Sequence, residues 1–263
     1  MQTVSLFLFA HQDDEFGVFR HIQVARDAGH RVCCAYLTTG VTEGTSSKVR
    51  DEESVKVLAR LGVNFKDIYF AGTVLAIPDG QLVRNLDKAM TWIYNWICSF
   101  HSSSPIFLPA WEGGHPDHDA LHAATLTAMS GCHRFERLRQ FSLYNGYGCW
   151  GPLFRVLKPL PFNGKIERSL IPWRLRFQFL RYCLSYPSQT KSWLGLLPFV
   201  FMHYFLIGTE SVQTVSMLRL RERPHDGTLY YERRHFSTWS EVHSAVDACL
   251  TRRMKITNPS FTK

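Results

Sequence analysis

The chain has 263 residues, 45% of them hydrophobic and 20% charged, which excludes disorder as its default state and allows a full core. Its formal charge of +8 and pI near 9.2 favour anionic partners: phosphate groups, acidic glycans, anionic lipid or nucleic acid. The seven cysteines include no CxxC pair and the N-terminus lacks a basic leader. Reduced, buried thiols, no signal peptide and a cytoplasmic location are therefore expected.

Strand and helix signals alternate from the start. Val4 to Phe9 is a continuous apolar run of strand length, suited to a strand covered on both faces. Phe16 to Ala28 has helical spacing and stops at Gly29, and Val32 to Leu37 reads as a second strand. Ser47 to Leu61 is expected to be a helix: serines lead in, acids occupy the first turns near the positive dipole end, and Gly62 closes it. Phe65 to Phe70 is a third strand, Leu82 to Phe100 a helix, Pro105 to Pro109 a fourth strand and Pro116 to Met129 a helix, with Phe141 to Tyr144 as a fifth strand. Beyond Gly146 the alternation gives way to helices at Arg174 to Leu184, Lys191 to Leu206 and Ser240 to Arg252, and a strand at Val212 to Arg221.

Repeated β-α units imply an α/β protein, a Rossmann-like three-layer fold with a mostly parallel central sheet and an elaborated C-terminal third. A single domain over 1–263 is expected, with an α/β core at 1–146 and a basic, aromatic elaboration at 147–263. Between Tyr147 and Ile207 eight basic residues face a single acid, Glu167, amid Trp, Phe, Leu and Pro. That composition fits a solvated helix face, a cover for a site, or a surface resting on a membrane or a lipid-linked substrate. A nucleic-acid partner is not expected, because the basic residues avoid the motif loops and no recognition module appears. Trp193 to Gly208 is too short and broken for a membrane span.

Two stretches carry chemistry: AHQDDE at 10–15 and GGHPDH at 113–118. Each follows an apolar strand, at the edge where open α/β sheets bind ligands. They offer His11, Asp13, Asp14, His115, Asp117 and His118, and two imidazoles with a carboxylate suit zinc while leaving a position for water. The Gly113-Gly114 pair allows a close backbone approach before the helix. Taken alone, each half has a plainer reading, as an acidic helix cap or a surface histidine. Two such halves at matching strand ends point to a metal site.

Together these motifs resemble the signatures of the PIG-L/LmbE-like family of zinc-dependent N-acetylglucosaminyl deacetylases: [A/P]-H-[P/A]-D-D near the N-terminus and H-P-D-H downstream. The resemblance implies that His11, Asp14 and His118 bind zinc, or ferrous iron in its place. It implies that Asp13 is the general base, that His115, protonated, faces the substrate oxyanion, and that Asp117 orients His115. Arg50, opening RDEESVKVLARLG, and Asp79 in IPDGQL correspond to family positions that bind sugar hydroxyls. The implied reaction is removal of an N-acetyl group from an N-acetylglucosamine-type conjugate, by metal-activated water. A sugar or nucleotide-sugar binding protein on the same fold, and a metal hydrolase of another amide or ester, are the alternatives. Two positions depart from the family: Gln12, where proline or alanine is usual, and Tyr186 in YPSQ, where relatives carry histidine.

Overall fold

The computed structural model describes residues 2–101 and 103–257. In chain order its elements are β1 (Val4–Phe9), α1 (Phe19–Asp27), β2 (Arg31–Tyr36), α2 (Lys48–Arg60), β3 (Ile68–Phe70), α3 (Ala71–Leu75), α4 (Leu86–Cys98), β4 (Ser103–Pro109), α5 (Pro116–Met129), β5 (Leu138–Phe141), β6 (Tyr144–Asn145), β7 (Arg155–Val156), β8 (Ile166–Leu170), α6 (Trp173–Cys183), α7 (Thr190–Leu206), β9 (Thr209–Thr214), α8 (Tyr230–Arg233) and α9 (Trp239–Thr257). The central sheet has seven strands in the order β3-β2-β1-β4-β5-β9-β8. β1 through β5 pair in parallel, while β9 runs antiparallel to both β5 and β8.

The sheet is mostly parallel because its strands are greasy on both faces. Side chains alternate along β1, so Leu6 and Leu8 enter one layer with α4, α5 and α9, while Phe7 and Phe9 enter the other with α1, α2, α6 and α7. The same alternation splits the adjacent thiols, Cys33 into the first layer and Cys34 into the second. Phe7 stacks on Phe107 at 4.6 Å between ring centroids, and Phe9 lies 5.3 Å from Tyr36 and 6.0 Å from Phe141. The chain winds from β1 out through β2 and β3, then returns to continue on the other side through β4 and β5. Winding therefore reverses between β1 and β4, and both motif loops leave the sheet at that crevice.

Three elements differ from expectation. Residues 65–67 form a 3-10 turn, because the Asn64 side chain accepts the Lys66 amide at 3.0 Å, so the third strand begins only at Ile68. The fifth strand lies at Leu138–Phe141 and stops there. Beyond it the buried Glu112 carboxylate accepts the amides of Leu143 and Tyr144 at 2.6 and 3.0 Å, diverting them from the ladder. Tyr144–Asn145 then pairs with β7 in a separate two-stranded ladder. The last strand occupies Thr209–Thr214, and Met217–Arg221 winds into a 3-10 turn.

Phe9→Ala is expected to destabilise the protein by about 3–5 kcal/mol, measured as a shift in the urea midpoint, since a large void would open between Tyr36 and Phe141. A second expectation concerns acid. His122, on the wholly buried α5, contacts the Pro109 carbonyl through Nδ1 at 2.9 Å, and burial pushes its imidazole down to about 4 from 6.5. Between those values the unfolded chain binds the proton and the folded chain does not. Stability therefore falls as pH drops through that window, by up to about 1.4 kcal/mol per pH unit from this group. Comparing urea melts across pH 4–7 for the wild type and His122→Asn should show a shallower slope in the variant.

Candidate active site

β1 ends at Phe9, and the chain turns sharply through Ala10 to Glu15. Asp14 closes this turn: its Oδ2 accepts the amides of Ala10 and His11 at 2.9 and 2.8 Å. Its other oxygen, Oδ1, lies 3.0 Å from Nε2 of His118, on the loop-and-helix unit that follows β4. Asp13 sits in the left-handed region at φ 112°, a conformation unfavourable for a residue with a Cβ. Glu15 holds it there. The fully buried Glu15 carboxylate accepts the Asp13 amide at 2.8 Å through one oxygen and the Tyr36 hydroxyl through the other. The turn thus aims Asp14 back at the strand end and lets Asp13 face the cavity.

The second loop ends in a cap. His115 precedes α5 and its Nδ1 accepts the Asp117 amide at 3.2 Å. An Nδ1 that accepts leaves the proton of the neutral ring on Nε2, which faces the cavity 3.9 Å from Asp79. Burial and the neighbouring His11 charge push the His115 imidazole down to about 4. The cap geometry and the lowered pKa favour a neutral Nε2–H ring at His115, where the sequence led to the expectation of a protonated one. The close approach foreseen for Gly113-Gly114 is present: a Cβ on Gly114 would lie 2.1 Å from the Tyr144 carbonyl oxygen.

Asp117 also differs from expectation. Its carboxylate accepts the amides of Gly80 and Leu82 at 2.6 and 3.0 Å and lies 3.2 Å from Nε2 of His11. Toward His115 it donates its own amide to Nδ1, and its carboxylate acts there as a nearby charge. Asp117 therefore fixes the His11 ring and anchors the loop that presents Asp79. Asp79 Oδ1 sits 3.1 Å from the same His11 nitrogen. Burial opposes charge on His11, yet Asp79, Asp117 and Asp14 together hold its pKa well above the usual value.

Arg50 reaches in from α2, its guanidinium buried. Its terminal nitrogens donate to the carbonyls of Gly40 and Gln12 and, at 3.0 Å, to Asp13 Oδ1. Burial lifts the Asp13 carboxyl to about 7, with Arg50 pulling in the opposite direction. Gln12 turns away from the cavity and donates to Asp51 at 2.6 Å. The YPSQ segment is tied to α2 as well: Ser188 donates to the Glu53 carboxylate through both its amide, at 3.0 Å, and its hydroxyl.

Four carboxylates, Asp13, Asp14, Asp79 and Asp117, converge around one guanidinium and three imidazoles, a balance that calls for a cation. His11, Asp14 and His118 each bring a ligand atom within 4.8 Å of the others, all three buried. A second grouping, His11, Asp79, His115 and Asp117, meets the same distance. There, however, Asp117 is engaged by two amides and His115 Nδ1 by a third. With Nε2 of His11 facing Asp117 and Asp79, Nδ1 is left to join Asp14 and His118, and two imidazoles with a carboxylate fit zinc or ferrous iron.

A cavity of about 270 Å³ opens over this cluster, lined by His11, Asp13, Asp14, Arg50, Asp79 and His115. Its outer wall comes from the C-terminal third: Phe154, the start of α7 at Gln189 to Leu196, and Tyr230, Arg234 and Phe236. Apart from Gln189 of the YPSQ segment, no motif marked these residues in the sequence, nor Tyr144, whose ring packs on His118 at 5.5 Å.

Residues 6–129 match the model of a family described as PIG-L, GlcNAc-PI de-N-acetylase. No curated protein matches the sequence. Among solved structures, a deacetylase triple mutant (Orf2*T) of the teicoplanin biosynthetic pathway superposes with TM-score 0.59 at 18% identity, over 82% of this chain and 98% of that one. The antimicrobial A40926 pseudoaglycone deacetylase Dbv21 gives 0.58 at 18%, over 82% and 97%. The N,N'-diacetylchitobiose deacetylase from Pyrococcus horikoshii gives 0.56 at 16%, over 86% and 88%. At such identities these are likenesses of fold.

His118→Ala is expected to lose tightly bound zinc in equilibrium dialysis. Asp117→Asn should keep one zinc per chain but bind it about 10–100-fold more weakly, because the His11 ring loses its orienting carboxylate. Unchanged affinity in both variants would reject this assignment.

Proposed function

Because residues 6–129 match the PIG-L family model, we propose that the protein hydrolyses the N-acetyl group of an N-acetylglucosamine-type sugar conjugate, releasing acetate and a free amine. One observation supports this most: Asp13, His115, His11 and Asp14 line one cavity, and His118 lies directly behind them within ligand distance of His11 and Asp14. A divalent metal in that set, zinc or ferrous iron, would supply a Lewis acid that acidifies water and polarises the acetyl carbonyl.

Asp13 is the proposed base. It lies beside the ligand set without belonging to it, Arg50 fixes one carboxylate oxygen, and the carboxyl's pKa of about 7 suits proton transfer near neutrality. As water adds to the carbonyl carbon, Asp13 takes one proton. His115 Nε2–H donates to the carbonyl oxygen as negative charge develops there, an interaction worth on the order of a hundred- to a thousandfold in rate when one such donor is removed. Protonated Asp13 then returns its proton to the nitrogen as the C–N bond breaks, so the amine leaves neutral. Asp79, partly exposed on the cavity wall, is available to a sugar hydroxyl. Arg50 is assigned to positioning Asp13, since its terminal nitrogens are already engaged. The functional unit is proposed to span 1–263, because the elaboration at 147–263 supplies one wall of the cavity.

The test is acetate release from a panel of free, nucleotide-linked and lipid-linked N-acetylglucosamine conjugates. Asp13→Asn should retain metal and lose about 10²–10⁴-fold in turnover. A metal-loaded wild type inactive on the whole panel would favour a binding protein, and a fully active Asp13→Asn would reject the base.

A further inference from the structure

The C-terminal third carries an apolar surface that no part of the described chain covers. α6 and α7 meet the sheet's aromatic layer through Phe179, Tyr182, Trp193, Val200 and Tyr204. Their other faces are equally greasy. Trp173 and Phe177 of α6 and Leu184 just after it are exposed, as are Leu194, Phe201, Met202, Phe205 and Leu206 of α7, with Leu194 at 72% and Leu206 at 70%. Scattered exposed hydrophobes need no explanation, but a continuous patch marks an interaction surface.

Continuity is visible in the ring contacts. Trp173 packs edge-on against Phe205 at 5.5 Å, and Phe205 stacks on Phe201 at 5.9 Å, so the patch crosses from one helix to the other. Its tryptophan is fixed in place. The Arg176 guanidinium lies 4.1 Å from the Trp173 ring and is itself bonded to the carbonyls of Ile171 and Tyr204 at 2.7 and 3.0 Å. The charge nearby in sequence is of one sign: Arg168, Arg174, Arg181 and Lys191 are exposed, and Glu167 is the sole acid between 147 and 207.

A helix apolar around its circumference is ordinarily buried on every side or placed in lipid. No helix among the described residues is long and apolar enough to cross a membrane. Tryptophan, phenylalanine and leucine facing outward beside arginines and a lysine suit the boundary between headgroups and acyl chains. We propose that the α6–α7 face docks onto the surface of an anionic lipid bilayer. The first turns of α7 also wall the cavity, so docking would bring the cavity mouth to the lipid surface. This inference stands on the α6–α7 face itself and holds whether or not the site hydrolyses an acetamide.

The experiment is co-sedimentation of the full chain with phosphatidylcholine vesicles and with vesicles of phosphatidylcholine and phosphatidylglycerol in equal parts. The wild type should sediment with the anionic vesicles at low salt and less at high salt. The double variant Phe201→Ser, Phe205→Ser should reduce the bound fraction at least about tenfold. Arg174→Glu with Arg181→Glu should remove the preference for phosphatidylglycerol. All four side chains are exposed, and unchanged far-UV circular dichroism would establish that the variants fold. Failure of the wild type to bind either vesicle, or undiminished binding by the phenylalanine variant, overturns the proposal. So does a wild-type dimer in sedimentation velocity that ignores vesicles and becomes monomeric in that variant, which would make the face a contact between two copies.

Discussion

The site depends on the two oxygens of Asp14. One caps the end of β1 by accepting the Ala10 and His11 amides, and the other reaches His118 across the crevice. A single buried carboxylate thereby joins the loops that leave β1 and β4, where the winding of the sheet reverses. Around it stand three more carboxylates and one arginine, a concentration of negative charge that a buried region tolerates only with cationic or hydrogen-bonded partners. Asp117 has two backbone amides and His11. Asp13 has Arg50. The remaining demand falls on the group of His11, Asp14 and His118, and that is the reason for placing a metal there.

Much of this was legible in the sequence because it is local. The greasy run Val4 to Phe9 and the acidic turn after it say that a two-sided strand ends in polar chemistry. HPDH before an apolar helix says the same of β4, and the structure brings the six residues together, with His11, Asp13, Asp14 and His115 lining one cavity and Asp117 and His118 buried behind them. What could not be read was tertiary. Asp117 follows His115 by two residues, yet its carboxylate serves His11, more than a hundred positions earlier. The His115 tautomer is decided by a cap geometry, not by composition. Glu15, to which the motif assigns no role, holds Asp13 in its left-handed conformation. Among the elements, β5 was displaced by the buried Glu112, whose demand for donors no periodicity reveals.

The irregular C-terminal third gains meaning from its position. β8 and β9 extend the central sheet, and α6 and α7 cover its aromatic face. The same segment closes one side of the cavity through Phe154, Lys191 and Leu196, with Arg234 and Phe236 following from further along the chain. The core thus carries the reactive groups, and the elaboration shapes what reaches them. The tie between Ser188 and Glu53 links the two, fixing the start of α7 to the helix that delivers Arg50.

The central claim is that His11, Asp14 and His118 hold a metal while Asp13 stays outside its coordination sphere. Anomalous diffraction at the zinc edge from crystals of the zinc-loaded protein tests it most directly. The account predicts one peak per chain, within bonding distance of a nitrogen of His11, an oxygen of Asp14 and a nitrogen of His118, with no Asp13 oxygen among the ligands. A peak bonded instead to Asp79, His115 and Asp117, or one that includes Asp13, would contradict it.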